Sequence, residues 1–361
     1  MTAVMRTALC VALCLALAAC GQSEEAHDAG RPRDTGPPAP PAIEIPEAPP
    51  LPETPLGLEA VPVPTDNAQT AQKVFLGRQL FWDKRLSKTQ NYNCVSCHLP
   101  EKAWTDGRPR AVTHDGTEKK INSPGLLNVG YRETMYWNGR TPNLEKQAML
   151  PVKGFMGLEA AEAAQRIGEV AGYREQFRRV FGSEEVTPER MSQAIAAWER
   201  AMLSGAAPVD RFAAGTQDAM GEAARRGHAL FTGKAGCGGC HSGSIFSDGV
   251  YHNIGVGYVA GEPWPADRFD FTHDEADKGK YRTPSLRNVA LTAPYFHDGS
   301  AATLEDAVDF VLGGGKDNPG LDRQNLRRVR LTDAERGDLL AFLREGLTST
   351  VNPPAEAPWI P

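Results

Sequence analysis

The chain has 361 residues, enough for one to three domains, and its 41% hydrophobic and 23% charged content is ordinary for a globular protein. A formal net charge of −6 provides no basic surface for nucleic acid or for an anionic membrane. We therefore exclude both as partners of the folded body.

The N-terminus has the pattern of an export signal. Arg6 precedes an apolar run over residues 8–19, which is too short to span a bilayer comfortably and ends in small residues. Leu17-Ala18-Ala19-Cys20 resembles a bacterial lipobox. We expect residues 1–20 to be a lipoprotein signal, with Cys20 as the lipidated first residue of a protein in the periplasm or cell envelope. The alternative is ordinary cleavage nearby, with Cys20 incidental.

The next segment has the composition of a linker. Residues 21–64 hold twelve of the 28 prolines and few large apolar side chains. Such a composition predicts an extended, disordered tether. Order is expected to begin near Thr65-Asp66, as the cap of a helix over residues 68–81.

A matching helix is predicted over residues 221–231. Gly77-x-x-Leu80-Phe81 in the first helix corresponds to Gly227-x-x-Leu230-Phe231 in the second. Glycine at this place permits close packing, and the Leu-Phe pair is available to pack near a bound group. The alternative is two unrelated amphipathic helices.

Each of these helices precedes a CxxCH motif, Cys94-Val95-Ser96-Cys97-His98 or Cys237-Gly238-Gly239-Cys240-His241. The spacing is typical of c-type haem attachment, in which each thiol adds to a haem vinyl group and the adjacent imidazole binds iron. A zinc or thioredoxin-like site is the alternative for a single motif. Two copies in an exported chain predict two covalent haems, with His98 and His241 as proximal ligands. The other cysteines, Cys10, Cys14 and Cys20, lie in or at the end of the signal, so no disulfide is expected.

A repeat with an offset of 160 residues joins the two halves. The segment Ser123-Pro124-Gly125-Leu126-Leu127-Asn128-Val129 is matched by Thr283-Pro284-Ser285-Leu286-Arg287-Asn288-Val289. Gly139 and Leu144-Glu145 are matched in the same way by Gly299 and Leu304-Glu305. The chain therefore consists of two related halves, each with one haem.

Strand signals are sparse, and helical patterns dominate. Residues 157–203 are mostly helical by pattern, with Thr187-Pro188-Glu189 as a helix start, and a last helix begins near Thr332. We predict a mainly α fold with two cytochrome c-like haem domains. They are assigned to residues 65–205 and 206–350, followed by a tail over residues 351–361.

Residues 65 to about 350 resemble the bacterial dihaem cytochrome c peroxidases and their relative MauG. The resemblance implies that the haem on His98 reacts with hydrogen peroxide and that the haem on His241 relays or stores electrons. The matching stretches are Leu76-Gly77-Arg78-x-Leu80-Phe81, Cys94-x-x-Cys97-His98, Asn122-Ser123-Pro124, Trp137-Asn138-Gly139-Arg140, Thr283 to Val289, and Pro294-Tyr295-Phe296-His297-Asp298-Gly299.

The resemblance also assigns individual residues. It implies that Trp137 lies between the haems, where an oxidisable indole can serve as an electron stepping stone; the alternative is a core tryptophan packed against haem. It implies a calcium ion held by the side chain of Asn122 and the carbonyls of Thr292 and Pro294, all oxygen donors. From the residues themselves, His297 and His252 are predicted to be propionate or packing partners of haem.

The first haem site departs from the family pattern. Gln147 is retained, but Phe155 stands where the family has a glutamate that moves a proton between the peroxide oxygens. Glu159 lies close by, although its position is more typical of a solvated helix start. His114, in a polar loop, is predicted to be a distal ligand or acid–base group; the alternative is a solvent-exposed histidine.

The second haem site departs as well. Val311, fourteen residues after His297, stands where the peroxidases have Met and MauG has Tyr. Valine cannot bind iron, so this haem is five-coordinate or water-bound, or else His252 or His273 reaches it. Loss of a thioether ligand is expected to lower the haem potential.

Three functions are compatible with these features. We predict an oxidoreductase that reduces hydrogen peroxide with electrons from a small cytochrome c or copper protein. The alternatives are a MauG-like oxidant that modifies a partner protein and a non-catalytic dihaem electron-transfer or redox-sensing lipoprotein. The missing Met favours the MauG-like function mildly, whereas the missing glutamate argues against both enzymes. The resemblance also allows a homodimer.

Overall fold

The computed structural model describes residues 44–361, so the export signal and Cys20 lie outside the described residues. One small antiparallel sheet pairs β1 (Tyr251–His252) with β2 (Tyr281–Arg282). The rest is helical or irregular, which confirms the mainly α prediction. The α-helices are α1 (Ala71–Trp82), α2 (Leu144–Gln147), α3 (Leu150–Gly154), α4 (Ala160–Gly168), α5 (Ala171–Phe181), α6 (Pro188–Arg200), α7 (Pro208–Ala213), α8 (Glu222–Thr232), α9 (Phe269–Thr272), α10 (Leu304–Leu312) and α11 (Asp333–Ala341).

The observed N-terminal caps agree with the prediction for α6 and α11 but not for α1. Thr187 and Thr332 cap α6 and α11 as predicted, each accepting a hydrogen bond from a backbone N–H in the first turn. The α1 cap is Thr70 rather than Thr65-Asp66, because the Thr70 side chain accepts from the Lys73 N–H. After α11 the chain continues as a π-helical turn over Phe342–Gly346. In the described part of the chain, no helix is both long and apolar enough to cross a membrane.

Two close helix crossings have the same construction. α1 packs on α6, and α8 packs on α11. A Cβ added at Gly77 would lie 1.8 Å from the Ala194 carbonyl oxygen, and one added at Gly227 would lie 1.9 Å from the Asp338 carbonyl oxygen. Only glycine permits this approach of two backbones, so the predicted role of both glycines is confirmed.

The internal repeat is visible in the backbone geometry. Asn128 and Asn288 both have φ of +59° and each begins a short 3₁₀ helix. Their side-chain oxygens accept hydrogen bonds from Ser204 N–H and Ser349 N–H, just beyond the ends of the two long helical segments. Asparagine adopts this left-handed backbone conformation more readily than most residues, and the hydrogen bonds of its side chain stabilise it here.

Each half has its own hydrophobic core. The first is built around α1 and α6 and contains Trp82, Trp104 and Trp198, whose rings meet edge to face at centroid distances of 5.5–6.2 Å. The second is built around α8 and α11. The domain boundary at residues 205 and 206 stays a prediction, since residues 44–361 lie within one compact unit.

Part of the predicted linker contacts the folded body. The Leu56 carbonyl accepts a 2.8 Å hydrogen bond from the Ala206 N–H, and the Glu59 carbonyl accepts a 2.6 Å bond from the Tyr131 hydroxyl. Order therefore begins before Thr65, earlier than composition indicated. Prolines limit helix and strand formation but do not prevent an extended segment from lying along a surface.

The C-terminal tail lies along α1. Gln79 Nε2 donates to the Trp359 carbonyl at 2.9 Å, and Arg85 Nη2 donates to the Pro361 carbonyl at 2.6 Å. The tail therefore returns from the second half of the chain to the first.

Candidate haem sites

The first CxxCH segment is a capped 3₁₀ turn with a fixed histidine. The Asn93 side chain accepts from the Ser96 N–H at 3.1 Å, which sets the start of the turn. His98 Nδ1 donates to the Trp104 carbonyl at 3.0 Å. Histidines that bind metals commonly donate their second ring nitrogen in this way, which leaves Nε2 for the metal. Burial lowers the pKa of His98 to about 4, so the imidazole is neutral, as a ligand must be.

The second segment has the same arrangement. His241 Nδ1 donates to the Phe246 carbonyl at 3.0 Å, and burial lowers the pKa of this imidazole as well. Within residues 44–361, none of Cys94, Cys97, Cys237 and Cys240 forms a disulfide, so all four thiols are available for attachment to haem. Both predicted attachment sites are thus suited to c-type haem. Haem bound at such sites supplies one-electron chemistry at iron, and its axial ligands tune the potential.

A cavity of about 580 Å³ lies beside the second segment. Its size suits a large cofactor. Cys237, Cys240 and His241 line it, together with residues from the first half that include Asn122 and Trp137. The second haem site is therefore built from both halves of the chain.

Two arginines that line this cavity, the half-buried Arg132 and the buried Arg282, were missed from sequence. Arg132 Nη2 donates to the Gly125 carbonyl at 2.8 Å, while Arg282 Nε has no hydrogen-bond partner within residues 44–361. A buried guanidinium without an anion is costly, and carboxylates are its preferred partners. Haem propionates would satisfy both side chains. The only signal was the position of Arg282 directly before Thr283 in the repeated stretch.

His297 lies on the same cavity wall. Its ring stacks on Tyr281 at a centroid distance of 3.5 Å, and its buried Nε2 has no partner in the described part of the chain. Burial lowers the pKa of His297 to about 4. A fixed, neutral ring with a free nitrogen fits the predicted haem-binding role, which stays a prediction.

Trp137 forms part of the wall. It is 8% exposed, its Nε1 donates to the Asn122 carbonyl at 3.1 Å, and its own carbonyl accepts from the Arg282 N–H at 2.9 Å. A tryptophan fixed through both its indole N–H and its backbone carbonyl is held firmly beside the second haem site. Its predicted position between the two haems stays a prediction.

The three predicted calcium ligands belong to the lining of the same cavity. Asn122, Thr292 and Pro294 all line the cavity. Asn122 Nδ2 donates to the Arg108 carbonyl at 2.7 Å, which leaves the side-chain Oδ1 for a cation. Amide and carbonyl oxygens are the donors that calcium prefers. The residues fit the ion, and its assignment stays a prediction.

His114 is held where the family glutamate is missing. Its backbone N–H donates to the Phe155 carbonyl at 2.9 Å. Both ring nitrogens are buried without a hydrogen-bond partner among residues 44–361. A Cβ added at Gly157 would lie 1.9 Å from His114 Nε2, so the ring rests directly on that glycine. His114 is therefore not the solvent-exposed loop histidine of the alternative interpretation.

The other residues near this segment do not supply an acid. Gln147 is the last residue of α2 and is half-buried. Phe155 is the C-terminal cap residue of α3, with Lys119 Nζ 5.3 Å from its ring centroid. Glu159 pairs with Lys153 at 2.9 Å, and both side chains are exposed. Glu159 is thus a solvated carboxylate rather than a replacement for the glutamate.

We expect Gly157→Ala to displace His114. The new Cβ would collide with Nε2, and φ of +69° at this position is strained for alanine. The reaction with peroxide that the family resemblance implies should slow as much as when the imidazole is removed, and stopped-flow spectroscopy measures its rate. Gly154→Ala is the control, because a Cβ there meets no atom within 4 Å. Equal rates for both variants would contradict the predicted contact.

Neither alternative ligand for the second haem is available. His252 lines the cavity, but its Nδ1 lies 2.6 Å from Asp322 Oδ2 and its Nε2 lies 3.1 Å from Asp248 Oδ2. Both ring nitrogens are therefore occupied by carboxylates. His273 is exposed at the end of α9 and does not line the cavity. Val311 does line it, at the position predicted from sequence.

A buried carboxyl in α6 gives a pH-dependent stability. Burial raises the pKa of Glu199 to about 8, and its Oε2 has no hydrogen-bond partner in the described range. The folded protein therefore keeps a proton that the unfolded chain releases near 4.5, the ordinary value for Glu. Stability should fall as pH rises between these two values, by at most about 1.4 kcal/mol per pH unit.

Glu199→Gln should flatten this dependence, because the amide does not titrate. Thermal unfolding midpoints of the haem-loaded protein across that pH range measure the effect. Glu189→Gln, an exposed substitution on the same helix, should leave the dependence intact. An unchanged slope in the Glu199 variant would show that this carboxyl does not control it.

Comparison with known proteins supports a single family. The model of di-haem cytochrome c peroxidases matches residues 71–218. The methylamine utilization protein MauG of Methylorubrum extorquens is 38% identical over 288 residues, covering 79% of this chain and 81% of its own. Cytochrome-c peroxidase IdrP1 of Denitromonas iodatirespirans is 39% identical over 328 residues, which cover 82% of this chain and 87% of the relative. The solved structure of a MauG-like protein associated with microbial copper homeostasis is 35% identical and superposes with a TM-score of 0.77. The match covers 85% of this chain and 99% of that protein.

Proposed function

Because this chain belongs to the di-haem cytochrome c peroxidase family, which includes MauG, we propose that it reduces hydrogen peroxide with electrons from a small cytochrome c or copper protein. The chain is an oxidoreductase with two c-type haems, and the two CxxCH segments have the geometry that such haems need. Peroxide is assigned to the site of His98, and electron entry to the site of His241.

One observation carries this proposal. Peroxide cleavage needs a group that takes a proton from the near oxygen and delivers it to the far oxygen, which leaves as water. The imidazole of His114 has two buried ring nitrogens without partners and rests against residues 155–157, where the glutamate is missing. His114 would take over this proton transfer, and Gln147 would help orient the peroxide.

The residues around the second haem site are proposed to have roles other than proton transfer. Arg132, Arg282 and His297 would bind the haem propionates, which fixes the haem in the cavity. Trp137 would carry electrons between the sites, because an indole is oxidisable and this one is rigidly held. These residues would bind the haem or carry electrons, and none of them would transfer the peroxide proton.

A MauG-like oxidation of a partner protein is the second candidate. Val311 favours it, because without a thioether the second haem has a lower potential and is a poorer entry point for electrons. Peroxide added to the purified dihaem protein with and without a reduced donor cytochrome separates the candidates. Rapid donor oxidation supports the peroxidase. A long-lived oxidised state without donor turnover supports the partner-modifying enzyme. If the spectrum does not respond to peroxide, both are wrong.

Three further features belong to the proposal. A calcium ion at Asn122, Thr292 and Pro294 predicts one calcium per chain by metal analysis. Periplasmic anchoring through Cys20, outside the described residues, predicts that Cys20→Ala releases the protein from the membrane fraction. Homodimer formation predicts twice the chain mass in sedimentation. A result that differs from the expected one in any of these measurements contradicts the corresponding feature and leaves the rest of the proposal intact.

A further inference from the structure

The helix α10 presents an entirely aliphatic face to the second haem cavity. Its cavity-lining positions recur at helical spacing, so they form one stripe along the helix. The lining residues from this helix are Leu304, Ala307, Val308, Val311 and Leu312. None of these side chains has an atom that can bind iron.

The polar side chains of α10 point elsewhere. Asp309 forms a double hydrogen bond with Arg336 at 2.6 and 2.7 Å, outside the cavity. Glu305 pairs with Arg344. These ion pairs fix the orientation of α10 about its own axis, so that its aliphatic stripe faces the cavity.

The ligating side chains on the remaining walls are nearly all engaged. The Tyr281 hydroxyl donates to the Pro265 carbonyl at 2.9 Å, and the Tyr295 hydroxyl donates to the Val289 carbonyl at 3.0 Å. His252 is held by two carboxylates, as described above. His297 keeps one free nitrogen, but its ring is fixed by stacking on Tyr281 and its Nε2 faces Gly257, where an added Cβ would lie 3.4 Å away.

We propose that the second haem has no protein ligand opposite His241 and that the open position binds a neutral diatomic molecule. The inference rests on the assignment of two haems in the proposed function. The stripe around Val311 favours such a ligand, because uncharged apolar molecules lose little on entering aliphatic surroundings, whereas anions lose their hydration. The stripe offers no acid–base group, so it does not suit peroxide cleavage. The exposed polar residues Gln324, Asn325 and Arg327 lie at the rim.

Carbon monoxide is the probe for this site. The chemically reduced dihaem protein is titrated with it, and the number of molecules bound per chain is read from the haem spectrum. Val311→Met places a thioether in the stripe, so we expect this variant to bind one carbon monoxide fewer than the unmodified protein. Val250→Met, at a half-exposed valine outside the cavity, should bind the same number as the unmodified protein.

Electron paramagnetic resonance of the oxidised protein gives a second readout that does not need a variant. An open second haem is high-spin, and Val311→Met should convert it to low-spin. A second haem that is already low-spin in the unmodified protein would overturn the proposal. If His297→Gln then made it high-spin, His297 would be the ligand.

This test and the test of the proposed function fail separately, because ligand binding needs no peroxide. A protein that binds carbon monoxide at the second haem but does not react with peroxide keeps this inference and loses the function. A peroxidase with a low-spin second haem keeps the function and loses the inference.

Discussion

Replacing His114 with alanine is expected to slow the reaction with hydrogen peroxide by about 10²–10⁴-fold, the usual contribution of a positioned acid–base group. The imidazole rests directly on Gly157, and its ring nitrogens have no hydrogen-bond partner in the described part of the chain. Stopped-flow mixing with peroxide measures the rate, and the haem-to-protein ratio should stay at two.

His273→Ala is the matched control, since His273 is exposed and distant in sequence from both haem motifs. It should change the rate little. A faster reaction in the His114 variant would show that the imidazole caps the iron and obstructs peroxide. An unchanged rate would remove His114 from the chemistry, and the Gly157→Ala result should then be unchanged as well.

The parts of the fold that sequence could predict are encoded locally. Two cysteines separated by two residues and followed at once by a histidine define an attachment segment, and Thr187-Pro188 defines a helix start without help from distant residues. The repeat was also readable, because an offset of 160 residues preserves Asn128 and Asn288, whose backbones adopt the same conformation.

The partners of buried polar atoms could not be read from sequence. His114 meets Gly157 across 43 positions, and that distance in sequence carries no local signal. Likewise, Arg132 and Arg282 come together through the association of the two halves, which periodicity does not describe. Sequence identified the missing glutamate and the missing ligand at Val311, but only the packed structure shows that His252 and His273 cannot replace that ligand.

A second large effect is expected at the buried ion pair between Arg287 and Asp210. The guanidinium donates to both carboxylate oxygens at 2.7 and 2.8 Å, and the two side chains are 1% and 6% exposed. Arg287 also donates to the Gly57 carbonyl at 3.0 Å and the Ser244 carbonyl at 2.7 Å. It therefore joins the N-terminal segment, α7 and the loop after the second haem motif.

Arg287→Ala should lower the free energy of unfolding by about 3–5 kcal/mol, because it leaves a carboxylate buried without its partner. Denaturant unfolding of the haem-loaded protein measures this. Arg226→Ala is the control: its pairing with Asp338 is also double, at 2.8 Å, but Arg226 is 59% exposed, so little stability should be lost. Equal losses of unfolding free energy in the two variants would mean that burial does not determine how much an ion pair contributes to stability. A loss confined to Arg287→Ala, with the spectrum of the second haem changing before the rest of the protein unfolds, would show that this arginine supports the cavity wall to which it contributes.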